Sequence, residues 1–144
     1  MTVREIPAGE TPLAHAAMSA LRPAFADPGA FAREVDEVLR PEGYRLAGSF
    51  EDEGGDAAAV AGFRFGHSLA WGHYMYVDDL ATAPHARRRG HAGALLDWLL
   101  EEALRQRCDQ LHLDSAAIPE RYDAHRLYMT KRFAITGHHF VRML

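Results

Sequence analysis

Cysteine, lysine and long apolar runs are scarce or missing in this chain, and each absence closes a class of function. A single cysteine, Cys108, permits no internal disulfide and cannot build a cysteine-based zinc site, so a reducing interior is the expected compartment. Lys131 is the one lysine among 16 basic residues. Excess positive charge is absent as well: 20 acidic residues leave a net charge of −4, the wrong sign for general nucleic-acid binding. The opening stretch MTVREIPAGETPLAH has neither a basic n-region with an apolar core nor a span long enough for a bilayer. Neither secretion nor membrane insertion is therefore expected, and the location expected is cytoplasmic. The nine histidines lack ligand spacing and no HExxH pattern occurs, so no metal is expected. No repeat, low-complexity tract or linker breaks the chain, and residues 1–144 read as one domain able to bury roughly 70% of its unfolded surface.

What is present is an ordinary globular composition, 48% hydrophobic and 25% charged, arranged as strands alternating with helices. TVREI predicts a first strand, and PLAHAAMSALRP and GAFAREVDEVLRP predict two amphipathic helices punctuated by prolines. YRLAGSFE and AAAVAGFRFGHSL flank the turn DEGGD as a hairpin, and HYMYVDDLAT adds a third strand to the meander. From about Arg89 to Arg107 runs the longest predicted helix. Ala92, Leu95, Leu96, Leu99, Ala103 and Leu104 share its apolar face, with Asp97, Glu101, Glu102 and Arg105 toward solvent. QLHLDSA predicts a strand, YDAHRLYMTKR a helix, and FAITGHHFVRML a closing strand or hairpin that turns His138 and His139 to opposite sides. The class is mixed α/β.

The stretch TAPHARRRGHAGALLDWLLEEA sets three arginines, Arg87, Arg88 and Arg89, at the start of a helix whose N-terminus is already partly positive. That is locally unfavourable unless an anion docks there. Gly90, Ala92, Gly93 and Ala94 would let such an anion approach the backbone N–H groups. A solvated basic cap accounts for the same residues.

The order of elements, with Arg87-Arg88-Arg89-Gly90-His91-Ala92 between a strand and a long helix, resembles the GNAT family of acyl-CoA N-acyltransferases. That family carries Arg/Gln-x-x-Gly-x-Gly/Ala at this place, and Ala124, Leu127, Tyr128 and Phe133 match its Ala-x-x-Leu/Phe-Tyr-x-x-x-Gly-Phe segment. Arg132 stands where the family usually has Gly, and Arg121 where an Asn often contacts the pantetheine arm. The resemblance implies a central, mostly antiparallel sheet with splayed fourth and fifth strands, flanked by helices. It implies acetyl-CoA as acyl donor, its pyrophosphate cradled by residues 87–93, with Arg87, Arg88, Arg89, Gly90, His91, Ala92 and Gly93 as the binding turn. It also implies a pantetheine arm that pairs with Leu80, Ala81 and Thr82 like an added strand, although these residues also suit an ordinary central strand.

Amide formation from a thioester needs a neutral amine, a stabilised carbonyl oxygen and a proton for the departing thiolate. The resemblance puts Tyr128 beside the CoA sulfur as general acid; a half-buried aromatic packed on the sheet is the plain alternative. YVDDL resembles the acidic pair of polyamine acetyltransferases, which makes Asp78 the expected base and Asp79 a substrate contact. Successive strand residues face opposite ways, so only one of the two is expected in the site. Either aspartate could instead cap a turn or pair with an arginine. Asp114 and Ser115 lie where the two central strands would diverge, positioned to touch substrate or to cap the strand. The expected activity is acetyl transfer by direct attack in a ternary complex to a primary amine of a small molecule, polyamine-like or otherwise cationic. The acids of EDEGGD are expected to add negative potential at the amine entrance. A non-catalytic acyl-CoA sensor and an enzyme using a longer or carrier-bound acyl group are the competing readings. A homodimer is the candidate assembly.

Overall fold

The structure is a computed structural model and describes residues 1–144. β1 (Thr2–Ile6) pairs antiparallel with β2 (Arg45–Phe50), β2 with β3 (Ala59–Ser68), and β3 with β4 (Gly72–Thr82). β5 (Gln110–Leu113) joins the far side of β4, giving the order β1-β2-β3-β4-β5 with β4 and β5 parallel. The sheet is thus mixed, antiparallel along its first four strands, as expected for the α/β class.

Between β1 and β2 lie α1 (His15–Leu21) and α2 (Pro28–Arg33). Asp27 starts α2 by accepting a hydrogen bond from the Ala30 N–H at 2.7 Å, and Pro28 supplies a first helical residue that has no N–H to leave unpaired. The helical path continues as a π-helical stretch over Glu34–Leu39. Ala17 and Met18 of α1, with Phe31 and Val35, meet Ile6, Leu46, Val60 and Ala81 of the sheet in one buried cluster. Phe63, Met75, Leu95 and Leu99 are fully buried too, the last two on α3 (His91–Arg105), whose Trp98 ring lies 6.0 Å from that of Phe63. α4 (Tyr122–Thr130) follows β5. The chain forms two compact units, Met1–His112 and Leu113–Leu144.

Three expectations are corrected. Glu102 does not face solvent: it is 3% exposed, because Arg45 reaches from β2 and donates to its Oε1 at 2.9 Å, with Gln106 at 3.1 Å and Arg105 pairing to the other oxygen. Burial pushes the Glu102 carboxyl up, but the hydrogen bonds from Gln106 and Arg45 outweigh it and hold the group below its ordinary value. Leu104, placed on the apolar face, is 65% exposed near the helix end. Residues 131–144 form neither helix nor strand, so the closing strand is not there and His138 and His139 have no strand faces to alternate between. Alternating apolar residues make a strand only where a neighbouring strand pairs with them. Here the chain turns through Arg132 (φ 66°), and Ile135, Phe140, Val141 and Met143 stay exposed.

Candidate active site

The arginine turn comes first. β4 ends at Thr82, a 3-10 turn spans Pro84–Ala86, and α3 begins at His91, two residues later than the sequence pattern suggested. Gly90 takes the N-cap position with φ 88°, and Arg88 is also left-handed at φ 62°, a conformation that costs a side-chain-bearing residue roughly 1–2 kcal/mol. No side chain caps α3, so its first-turn N–H groups are left for another acceptor. Arg87 and Arg88 are exposed and make no ion pair, whereas Arg89 pairs with Glu51 at 2.7 Å. An uncapped helix start, two unpaired guanidinium groups and a glycine where the chain must turn left-handed fit a pyrophosphate.

His91 is the exception within this turn. Its ring is buried, with Nδ1 2.9 Å from the Ser49 Oγ and Nε2 3.0 Å from Glu51 Oε1. A carboxylate only accepts, so Nε2 donates to Glu51, while Nδ1 shares a hydrogen bond with the Ser49 hydroxyl. That hydrogen bond is the main reason the Glu51 carboxyl lies below its usual value. Only the main chain of His91 is open to a ligand.

A second site forms around Asp78 and Asp79. The β3–β4 register pairs Gly62 with Asp79 and Phe63 with Val77, leaving Asp78 as an extra residue in a β-bulge. The bulge turns both aspartates toward one cavity of about 390 Å³, lined by Leu39, Glu42, Tyr44, Arg64, Asp78 and Asp79. The expectation that only one could face the site is therefore corrected: strict alternation fails where one strand carries an extra residue. Asp79 is held on both oxygens, by Arg22 Nε at 2.8 Å and by the Tyr44 hydroxyl at 2.7 Å. Tyr44 crosses the sheet directly over Gly62, where a Cβ would come within 1.7 Å of its hydroxyl oxygen. Burial first, and the Asp79 charge second, push the Tyr44 phenol far above its normal range, so it stays a donor. Asp78 receives a fork from Arg64, at 2.9 and 3.1 Å. Burial lifts its carboxyl above the ordinary aspartate value, and Arg64 offsets this only in part.

The same face continues toward the β3–β4 turn as an aromatic shelf. The Arg64 guanidinium lies over Tyr76 at 5.0 Å, and Trp71 stacks on His112 at 3.8 Å. Trp71 reads in sequence only as a turn residue. Arg22, Tyr44 and Arg64 were also missed, since each reaches the aspartates from a different element and no local spacing links them.

In the second unit, Tyr128 is 6% exposed. Its hydroxyl oxygen accepts from Arg121 Nη2 at 3.3 Å, and Arg121 Nε and His125 Nε2 approach the Ser115 Oγ at 3.5 and 2.9 Å. Burial pushes the Tyr128 phenol up and Arg121 opposes it, with a net rise. Ser115 thus belongs to a hydrogen-bonded cluster with Tyr128, and Asp114 lies 3.6 Å from His139. Of the remaining expected residues, Leu80 and Thr82 pair with Ala61 and Ala59 on β3, and the Ala81 side chain is packed in the core. Ala92 and Gly93 follow His91 in the first turn of α3. Glu51 and Asp52 line a different cavity, with Met1, Arg89 and His91, so the acids of EDEGGD are not assembled around the aspartate pair.

A sequence profile of the acetyltransferase (GNAT) family matches residues 11–133, and the chain belongs to that family. It is a GNAT-type N-acetyltransferase. No curated protein matches the chain. Among solved structures, ribosomal-protein-alanine N-acetyltransferase from Brucella melitensis biovar Abortus 2308 superposes with a TM-score of 0.82 at 19% identity, covering 100% of both chains. An acetyltransferase from Trypanosoma brucei gives 0.81 at 16%, covering 99% of each. An aminoglycoside N-acetyltransferase in complex with CoA gives 0.81 at 16% identity, covering 99% of this chain and 93% of that one. No helix is long and apolar enough to cross a membrane.

Proposed function

We propose that the protein transfers an acetyl group from acetyl-CoA to a primary amine of a small cationic molecule, by direct attack in a ternary complex. The observation that carries the acceptor class is the cavity at the bulge, where the three acids Glu42, Asp78 and Asp79 stand against two guanidinium groups, Arg64 in the lining and Arg22 paired with Asp79. A net negative, partly buried pocket attracts a cation and disfavours an acidic amine. The donor reading rests on the uncapped turn with Arg87 and Arg88. It rests also on the length of β4, eleven residues against four in β5. Because β5 begins beside His73, where the Asp109 N–H donates to the His73 carbonyl at 2.7 Å, it runs out before β4 does. Leu80, Ala81 and Thr82 are thus left with an open edge for the pantetheine arm.

In this reading Asp78 takes a proton from the substrate ammonium, and the neutral amine attacks the thioester carbonyl. As the C–S bond breaks, Tyr128 gives its proton to the thiolate, and the phenolate recovers one from the acylated nitrogen. The products are the amide, CoA thiol and the proton left on Asp78. Asp79, fixed by Arg22 and Tyr44, contributes charge and holds the bulge.

Asp78→Asn should lower kcat/KM for 1,4-diaminobutane by about 100-fold, the lower end of general-base contributions. A base works deprotonated, so wild-type kcat/KM should climb with pH through the Asp78 titration, at a pH above that of an ordinary aspartate because its carboxyl is raised. The variant should lack this acidic limb. Rising ionic strength should shrink the preference for the diamine over glutamate. A preference for glutamate, or an unchanged pH profile in Asp78→Asn, would refute the assignment.

A further inference from the structure

We propose that Glu51, fixed in place by the buried His91, holds Arg89 away from the donor's phosphates, so that Glu51 sets donor affinity while Arg87 and Arg88 make the guanidinium contacts. The inference rests on the donor reading above and assigns roles to residues which that reading leaves without one.

The geometry runs from the core outward. Ser49 is fully buried on β2 and hydrogen-bonded to His91 Nδ1, and His91 Nε2 donates to Glu51 Oε1. The same Oε1 accepts from Arg89 Nη1 at 2.7 Å. His91 cannot swing away, being enclosed and being the first residue of α3. Glu51 therefore has a fixed partner on one side and a movable one on the other. Arg89 is 55% exposed at its side chain and Glu51 33%, so their pair is solvated and the hold on Arg89 is modest. Its consequence is directional: a carboxylate is kept beside a turn built for an anion, and one of three arginines is diverted to it. Glu51 and His91 are positioning residues, acting on the donor through Arg89.

The test measures CoA and inorganic pyrophosphate affinity by calorimetry, with thermal unfolding to confirm that each variant is folded. Glu51→Gln should bind CoA about two- to fivefold tighter, the fold-change matching one exposed ion pair, and should lower the KM for acetyl-CoA without moving kcat. Arg89→Ala should weaken CoA binding only slightly, through the Glu51 carboxylate it leaves unpaired, whereas Arg87→Ala and Arg88→Ala should both weaken it more. In the Glu51→Gln background, Arg89→Ala should cancel part of the gain, because the released arginine supplies it. His91→Ala should also free Glu51 and change KM, and His91→Gln, which retains an N–H donor, should restore wild-type values. Arg89→Ala as damaging as Arg87→Ala in the wild-type background, or Glu51→Gln without tighter binding, would overturn the inference and leave the donor site standing. Unchanged CoA affinity in Arg87→Ala, Arg88→Ala and Gly90→Asp together would remove the donor site itself.

Discussion

Gly90→Asp should leave the protein folded and unable to hold acetyl-CoA. The position is left-handed, φ 88°, and a Cβ built there meets only the Met1 Cε at 3.9 Å, so the change strains the backbone without a steric clash. Its electrostatic effect falls on the ligand. A carboxylate about 5 Å from a phosphate repels it by roughly 3 kcal/mol at an effective dielectric near 20, which is more than 100-fold in affinity. Wild-type protein at a hundredfold excess of CoA over Kd should gain about 2.7 kcal/mol of stability by mass action, and the variant almost none. Gly90→Asn carries nearly the same shape and strain without the charge, and should keep most of the binding. Calorimetry that finds Gly90→Asp binding as wild type does would place the pyrophosphate elsewhere.

The second large effect is expected at Tyr128. Its hydroxyl oxygen accepts a hydrogen bond from Arg121, which leaves the phenolic proton free to be donated onward, and burial keeps that proton on at neutral pH. Tyr128→Phe retains the ring and its edge contact with Phe133 at 6.1 Å while removing the only acidic atom. Turnover should fall by about 10²–10⁴-fold, the usual worth of a general acid, with little change in CoA affinity. The fall should be smaller for an acyl donor whose thiolate leaves with a lower pKa, because such a leaving group needs less help. Full turnover in the variant, with chemistry shown to limit the rate, would exclude Tyr128 from the mechanism.

The contrast between these sites and the aspartate pair shows what the sequence can carry. Gly90 and Tyr128 belong to contiguous patterns, and contiguous patterns survive in a linear reading: the turn before α3 and the helix holding Tyr128 lie where their residues suggest. The bulge at Asp78 depends on how β4 pairs with Gly62 and Phe63, more than a dozen residues earlier, and nothing in YVDDL announces it. Glu102 fails for a related reason. Helical periodicity correctly sets it off the leucine stripe, but the Arg45 that covers it comes from a strand 57 residues away. The closing strand fails differently, because its apolar alternation is real and only the partner is missing. The elements and the antiparallel meander were legible; side chains that reach across from a distant element, and a pairing register with an extra residue, were not.

The bulge also separates what the fold needs from what the site needs, within one strand. Before it, Met75 and Val77 are buried while Tyr74 and Tyr76 stay partly exposed; after it, Ala81 is again in the core and Asp79 faces the cavity. Count β4 without Asp78 and its pairing with β3 runs on without a break, Val77 and Asp79 standing opposite the adjacent residues Phe63 and Gly62. As architecture, β4 is complete in ten of its eleven residues. Asp78 is the supernumerary one, and what the extra position adds to the molecule is a carboxylate at the cavity wall, gripped from β3 by Arg64.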